Sequence, residues 1–169
     1  MKIDVTGLKS HENGKLSLDA NIHPADLEDE ISGIRLTGEL HLQAILTHGK
    51  GIINLEGVVK GAYRTECARC LAKITGHFEI PLHEKFLPEE KASQDDECYT
   101  YQGNRMDLTV PLLDNIMLSF PMVMVCGEDC KGLCMTCGKD LNKGNCSCPR
   151  QEGDIRLDKL KDFYKRNDR

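Results

Sequence analysis

Between residues 34 and 46 the even positions read Ile34, Leu36, Gly38, Leu40, Leu42, Ala44 and Leu46 while most odd positions are polar, the period of a long strand buried on one face. Two glycines in residues 47 to 51 predict a turn, and Ile53, Leu55, Gly57, Val59, Gly61 and Tyr63 mark a returning strand. A third run places Ala72, Ile74, Gly76, Phe78, Ile80 and Leu82 on one face, which predicts an antiparallel meander. Glycines at inward positions 38, 57, 61 and 76 predict strong bending, as in a tightly curled sheet or a small barrel. Upstream, residues 2 to 9 and 15 to 22 flank Asn13-Gly14 and predict a hairpin, and residues 26 to 30 a solvated acidic loop or single helical turn.

Periodicity changes after a charged stretch, residues 88 to 97, that reads as a loop. Leu112, Leu113, Ile116, Met117 and Phe120 form one helical stripe that Asp107 or Thr109 can cap, with Pro111 tolerated in the first turn and Pro121 ending it. A last helix is expected from Asp154, with Leu157, Leu160 and Tyr164 on one side. The pattern predicts an α+β fold, mainly antiparallel β: a β-rich body with one packed helix over residues 1–122, then a Cys-rich tail with a terminal helix over residues 123–169.

Charge divides at about the same point. Residues 126 to 169 carry ten Lys and Arg against eight Asp and Glu, and residues 1 to 125 carry twelve against nineteen. An acidic body argues against broad coating of nucleic acid, because such binding draws its affinity from neutralising phosphates. The apolar run at residues 111 to 125 is too short and too broken by Asp114, Asn115 and Pro121 to span a bilayer. With no apolar signal core at the amino terminus, a cytoplasmic location is expected.

Nine cysteines change the picture most, six of them in the tail: Cys126, Cys130, Cys134, Cys137, Cys146 and Cys148. Four thiolates hold zinc tetrahedrally, and binding energy then orders a loop with almost no apolar core of its own. Cys134 and Cys137, followed by Gly138, form the most specific pair; Cys126 with Cys130 brackets one helical turn, and Cys146 with Cys148 is a tight Cys-x-Cys. Six sulfurs exceed one zinc, so either one pair is accessory or two ions share bridging thiolates. Cys67 and Cys70 fall at a hairpin tip, where three readings stand: half of a metal site completed by two tail sulfurs, reduced structural thiols, or a redox pair with Arg69 lowering the thiolate pKa. A disulfide scaffold is disfavoured by the expected compartment. Cys98 reads as a strand thiol.

In order, the Cys67-x-Arg-Cys70-Leu hairpin, the helix from Asp107-Leu108 to Pro121, the stretch Cys130-Lys-Gly-Leu-Cys134-x-x-Cys137-Gly-x-Asp-Leu-Asn142 and the closing Asp154-x-Arg156 resemble the YceD-like family, the large ribosomal RNA subunit accumulation proteins, over roughly residues 35 to 160. The resemblance implies a non-enzymatic role in accumulation of large-subunit ribosomal RNA, hence ribosome assembly, with a structural zinc tail and a precursor RNA or a ribosomal protein as partner. No membrane or small-molecule substrate is expected. Some family members carry histidines in place of Cys146 and Cys148, which suits metal ligation, and some lack the tail cluster while keeping the first pair, which implies separable sites; this chain departs from the pattern at Ile155, where proline is usual, and Asp114, where glutamate is usual. Two other functions compete: a thiol oxidoreductase using Cys67 and Cys70, and a zinc-responsive regulatory module. The first lacks a Ser/His/Asp grouping or a phosphate-binding glycine loop to support it.

Overall fold

The structure, a computed structural model, describes residues 1–10, 14–27, 30–31, 33–91 and 98–149. In chain order the elements are β1 (Lys2–Asp4), α1 (Thr6–Lys9), β2 (Lys15–Ile22), β3 (Glu30–Ile31), β4 (Ile34–Gly49), β5 (Ile52–Glu66), β6 (Lys73–Pro88), β7 (Tyr99–Tyr101), β8 (Arg105–Asp107) and α2 (Thr109–Ser119). The three long strands form the expected antiparallel meander, β4 beside β5 and β5 beside β6. Leu36, Leu40, Leu42, Leu46, Ile53, Leu55, Val59, Ile80 and Leu82 are all buried on the predicted face. Each such side chain contributes about 1.5–3 kcal/mol by leaving water. β6 continues past the expected Leu82 to Pro88 because Phe86 is also buried, and Pro81 is tolerated because its stretch of β6 has a partner only on the β5 side.

The amino-terminal hairpin does not form. β1 pairs with β8, and β2 pairs with β4 along its whole length, Lys15 opposite Thr47 to Ile22 opposite Leu40. Between them the chain turns helical: the Asp4 carboxylate accepts from Thr6 N–H and Thr6 Oγ1, and α1 then buries Leu8 beside Val5. The predicted pairing of these two segments yields here to burial of Val5 and Leu8. The acidic segment begins with a 3₁₀ turn at Pro24–Asp26.

The barrel-like alternative is also corrected. The main sheet is open, ordered β2-β4-β5-β6-β7 with β3 on β4, and β2 and β7 are its two edges. Gly57, Gly61 and Gly76 serve close packing instead. A Cβ on Gly57 would lie 2.3 Å from the Gln43 carbonyl oxygen, and one on Gly76 would lie 2.7 to 2.8 Å from the Tyr63 ring that covers it. Gly38, at φ +70°, sits in the β4 irregularity between Thr37 and His41 where the register with β5 shifts.

Helix α2 packs on β6 and closes the core with Pro111, Leu112 and Ile116, while Leu113 is half-buried and Met117 is exposed. The Asp107 carboxylate accepts from Thr109 N–H at 2.9 Å, and the Met1 ammonium bonds to both Asp107 and Thr109. Tyr99 Oη donates to Asp114 at 2.9 Å, so this acid ties α2 to β7. Phe120 folds back edge-on against Tyr63 and Phe78. The expected terminal helix and residues 92–97 of the charged loop lie outside the described residues.

Candidate metal centres

Two short turns carry the same backbone design. In the β5–β6 turn, Cys67 N–H donates to Ala72 O at 2.8 Å and Leu71 N–H to Cys67 O at 2.9 Å. In the tail, Cys134 N–H donates to Lys139 O at 2.9 Å and Gly138 N–H to Cys134 O at 2.8 Å. Both need a left-handed residue after the second cysteine, which is Leu71 at φ +59° in one and Gly138 at φ +70° in the other. Each turn therefore presents two sulfurs on one side, as a zinc knuckle does.

The tail's six cysteines divide between these turns. The Sγ atoms of Cys67, Cys70, Cys126 and Cys130 lie within 4.8 Å of one another, and so do those of Cys134, Cys137, Cys146 and Cys148. No sulfur belongs to both groups, and Cys98, just before β7, belongs to neither. Within the first, Cys67 to Cys130 is 3.8 Å and Cys70 to Cys126 is 3.6 Å. A tetrahedron with metal–sulfur bonds of about 2.3 Å has edges of about 3.8 Å, so this donor set fits a zinc-sized ion. The same contacts are far too long for a disulfide.

The first group is set into the body. Cys67, Cys70 and Cys130 are buried and make a small second core with Ile74, Val125 and Leu133. Ala68 N–H donates to Met124 O at 2.9 Å, and Cys126 N–H reaches Cys67 Sγ at 3.4 Å. Arg69 does not face the thiols as a charge partner; its guanidinium donates to the Glu128 and Cys130 carbonyls, both at 3.1 Å, holding the tail on the turn. Leu133 N–H returns to Arg69 O at 3.1 Å, and a side chain at Gly132 would come within 3.0 Å of that same oxygen.

Asn142 couples the two groups, a role spacing alone did not suggest. Its amide donates to Cys130 Sγ at 3.5 Å and to Asp140 at 2.9 Å, while its Oδ1 accepts from Lys131 N–H at 2.8 Å. With the Leu133–Asp140 bridge, these contacts engage the Lys131-Gly132-Leu133 and Asp140-Leu141-Asn142 segments together.

Electrostatics divide the thiols. Against the upward push of burial, N–H groups of Cys126, Arg69 and Cys70 hold Cys67 down to about 6. The N–H groups of Cys137 and Thr136 likewise hold Cys134 down to about 6. Cys126, hydrogen-bonded to the Cys130 and Cys70 sulfurs, is pushed up to about 12, and Cys148 rises to about 12 beside Cys137. Each group thus contains a sulfur ready to bind and one that must first lose a proton. Chemically, each group is four soft donors around one point, and a tetrahedral ion held there would have its four positions taken by protein sulfurs.

Residues 55–164 match the profile of a family described as Large ribosomal RNA subunit accumulation protein YceD. The chain is similar to an uncharacterized protein of Mycobacterium tuberculosis, 29% identical over 150 residues, covering 83% of this chain and 70% of that protein. It is also similar to the proteins named Large ribosomal RNA subunit accumulation protein YCED homolog 1, chloroplastic, of Arabidopsis thaliana and Zea mays. The first is 25% identical over 133 residues, 60% of this chain and 41% of the plant protein, and the second 26% identical over 135 residues, 61% and 46%. No solved structure matches the chain.

Proposed function

The chain belongs to the YceD family, the large ribosomal RNA subunit accumulation proteins, and from that membership we propose that it is a non-enzymatic factor supporting accumulation of large-subunit ribosomal RNA. It acts in ribosome assembly by binding precursor RNA or a ribosomal protein, in the cytoplasm, with structural zinc in both sulfur groups. The observation that carries this reading is the family match itself, which spans both groups from Cys67 to Cys148. The plant relatives' names point the same way.

Zinc would be held by Cys67, Cys70, Cys126 and Cys130 in one site and by Cys134, Cys137, Cys146 and Cys148 in the other. Bound there, it supplies cross-linking rather than chemistry on a substrate. The lowered Cys67 thiol is what favours the oxidoreductase alternative, but Cys67 is 0% exposed, whereas reactive thiolates are partly accessible. No helix among the described residues is long and apolar enough to cross a membrane.

The test is the ratio of mature large-subunit to small-subunit ribosomal RNA in cells depleted of the protein. A fall in the large-subunit species, rescued by the wild-type chain, is expected; an unchanged ratio would overturn the assembly reading.

A further inference from the structure

Beside the first sulfur group lies an open groove of about 900 Å³, bounded by the start of β4, the end of β5, the last turn of α2 and the segment that follows α2. One rim is apolar and in water: Met117 is 46% exposed, Val123 61% and Met122 fully exposed. Clustered exposed apolar side chains mark interaction surfaces, and methionines suit them because their flexible thioethers fit partners of irregular shape. Among the described residues the opposite rim carries Arg64 and Lys73 beside one acid, Glu66. This is a local excess of positive charge on a chain of net charge −5.

Those two rims choose among occupants. Single-stranded RNA would use flat aromatic faces to stack its bases. Phe120, the one aromatic ring on the groove among the described residues, is already engaged edge-on by Tyr63 and Phe78, at centroid distances of 4.8 and 5.7 Å. An amphipathic peptide with apolar anchors and an acidic flank matches both rims, anchors on the methionines and carboxylates on Arg64 and Lys73. We propose that the groove between α2 and the β4–β5 edge docks an acidic amphipathic segment of a partner protein. This goes beyond the ribosomal RNA reading and does not depend on it. The apolar rim is tethered at Met124 O and Cys126, so the sulfur group next to it shapes the docking surface.

The test pans a phage library of random 16-residue peptides on the full-length, metal-loaded chain, with counter-selection on the Met117→Glu, Met122→Glu double variant. Both substituted side chains are exposed, so the fold should persist. Expected are clones with apolar residues at helical spacing and net negative charge, whose affinity falls at least tenfold in the double variant and in Arg64→Glu, Lys73→Glu. Enrichment of basic peptides, of clones indifferent to both variants, or of none would overturn the proposal. So would binding of a 20-nucleotide single-stranded RNA that is lost only in Arg64→Glu, Lys73→Glu, which would assign the groove to nucleic acid. Concentration-dependent dimerisation abolished by Met122→Glu in sedimentation would assign it to a second copy of the chain instead.

Discussion

Leu71 holds a left-handed backbone, φ +59°, while its side chain is 60% exposed, so it bears the conformational cost of that region with little burial in return. For an L-residue that cost is about 1–2 kcal/mol, partly offset in a Leu71→Gly variant by the greater freedom of glycine in the unfolded chain. Leu71→Gly is expected to stabilise the metal-loaded protein by about 0.5–1 kcal/mol and Gly138→Ala to destabilise it by about 1 kcal/mol, read from denaturant midpoints at fixed metal concentration. The thiols give a second residue-level expectation. With the sulfur groups folded as they stand here, Cys67 and Cys134 sit near 6, below the ordinary 9.0, so their contribution to that arrangement is full above about 9 and is lost as pH falls through 6. Cys126 and Cys148, near 12, contribute below about 9 and lose that as pH rises through 12. Zinc uptake at neutral pH must expel at least the proton of Cys126 or Cys148 at each site, so affinity should fall at least about tenfold per unit of acidification. Calorimetric titration in buffers of different ionisation enthalpy would count the protons released.

At the scale of elements, the two sulfur groups differ in what they connect. The second closes a loop upon itself, whereas the first joins the β5–β6 turn to a segment more than fifty residues later and straddles the boundary drawn at 122/123. Cys67→Ser should reduce bound zinc from two ions per chain to one and expose the segment between Pro121 and Cys126 to limited proteolysis. Cys134→Ser should also remove one ion yet leave that segment protected, because the contacts of Ala68 and Cys67 with Met124 and Cys126 remain. Equal protease sensitivity in both variants would contradict this division. The Cys67–Cys70 turn could be read as half of a site, but its partners could not, since Cys126 and Cys130 stand closer in sequence to the other tail cysteines than to the turn they join.

For the whole molecule, the body has its own core. Leu40, Leu42, Leu46, Ile53, Leu82, Phe86, Met106, Leu108, Leu112 and Ile116 are essentially buried in one cluster that includes no cysteine. The first sulfur group and its few apolar neighbours form a separate cluster. Removing metal with a chelator should therefore abolish amide-exchange protection in residues 126–148 while β4, β5 and β6 keep theirs. Loss of protection throughout would mean that the metal supports the body as well.

The long meander, the packed helix and the cysteine-donor character of the candidate sites were legible in the sequence, because alternation of apolar and polar positions and cysteine spacing are local signals that any such fold must honour. The sequence also carried the family, whose most specific residues, from Cys130 to Asn142, turn out to join the two sulfur groups. Tertiary structure alone decided that β1 pairs with β8, that the sheet stays open, and that six tail cysteines divide two and four. Strand partners and sulfur partners are chosen by burial of residues distant in the chain, Val5 and Leu8 beneath the sheet and Cys67 beneath the tail. No window of adjacent residues contains that competition.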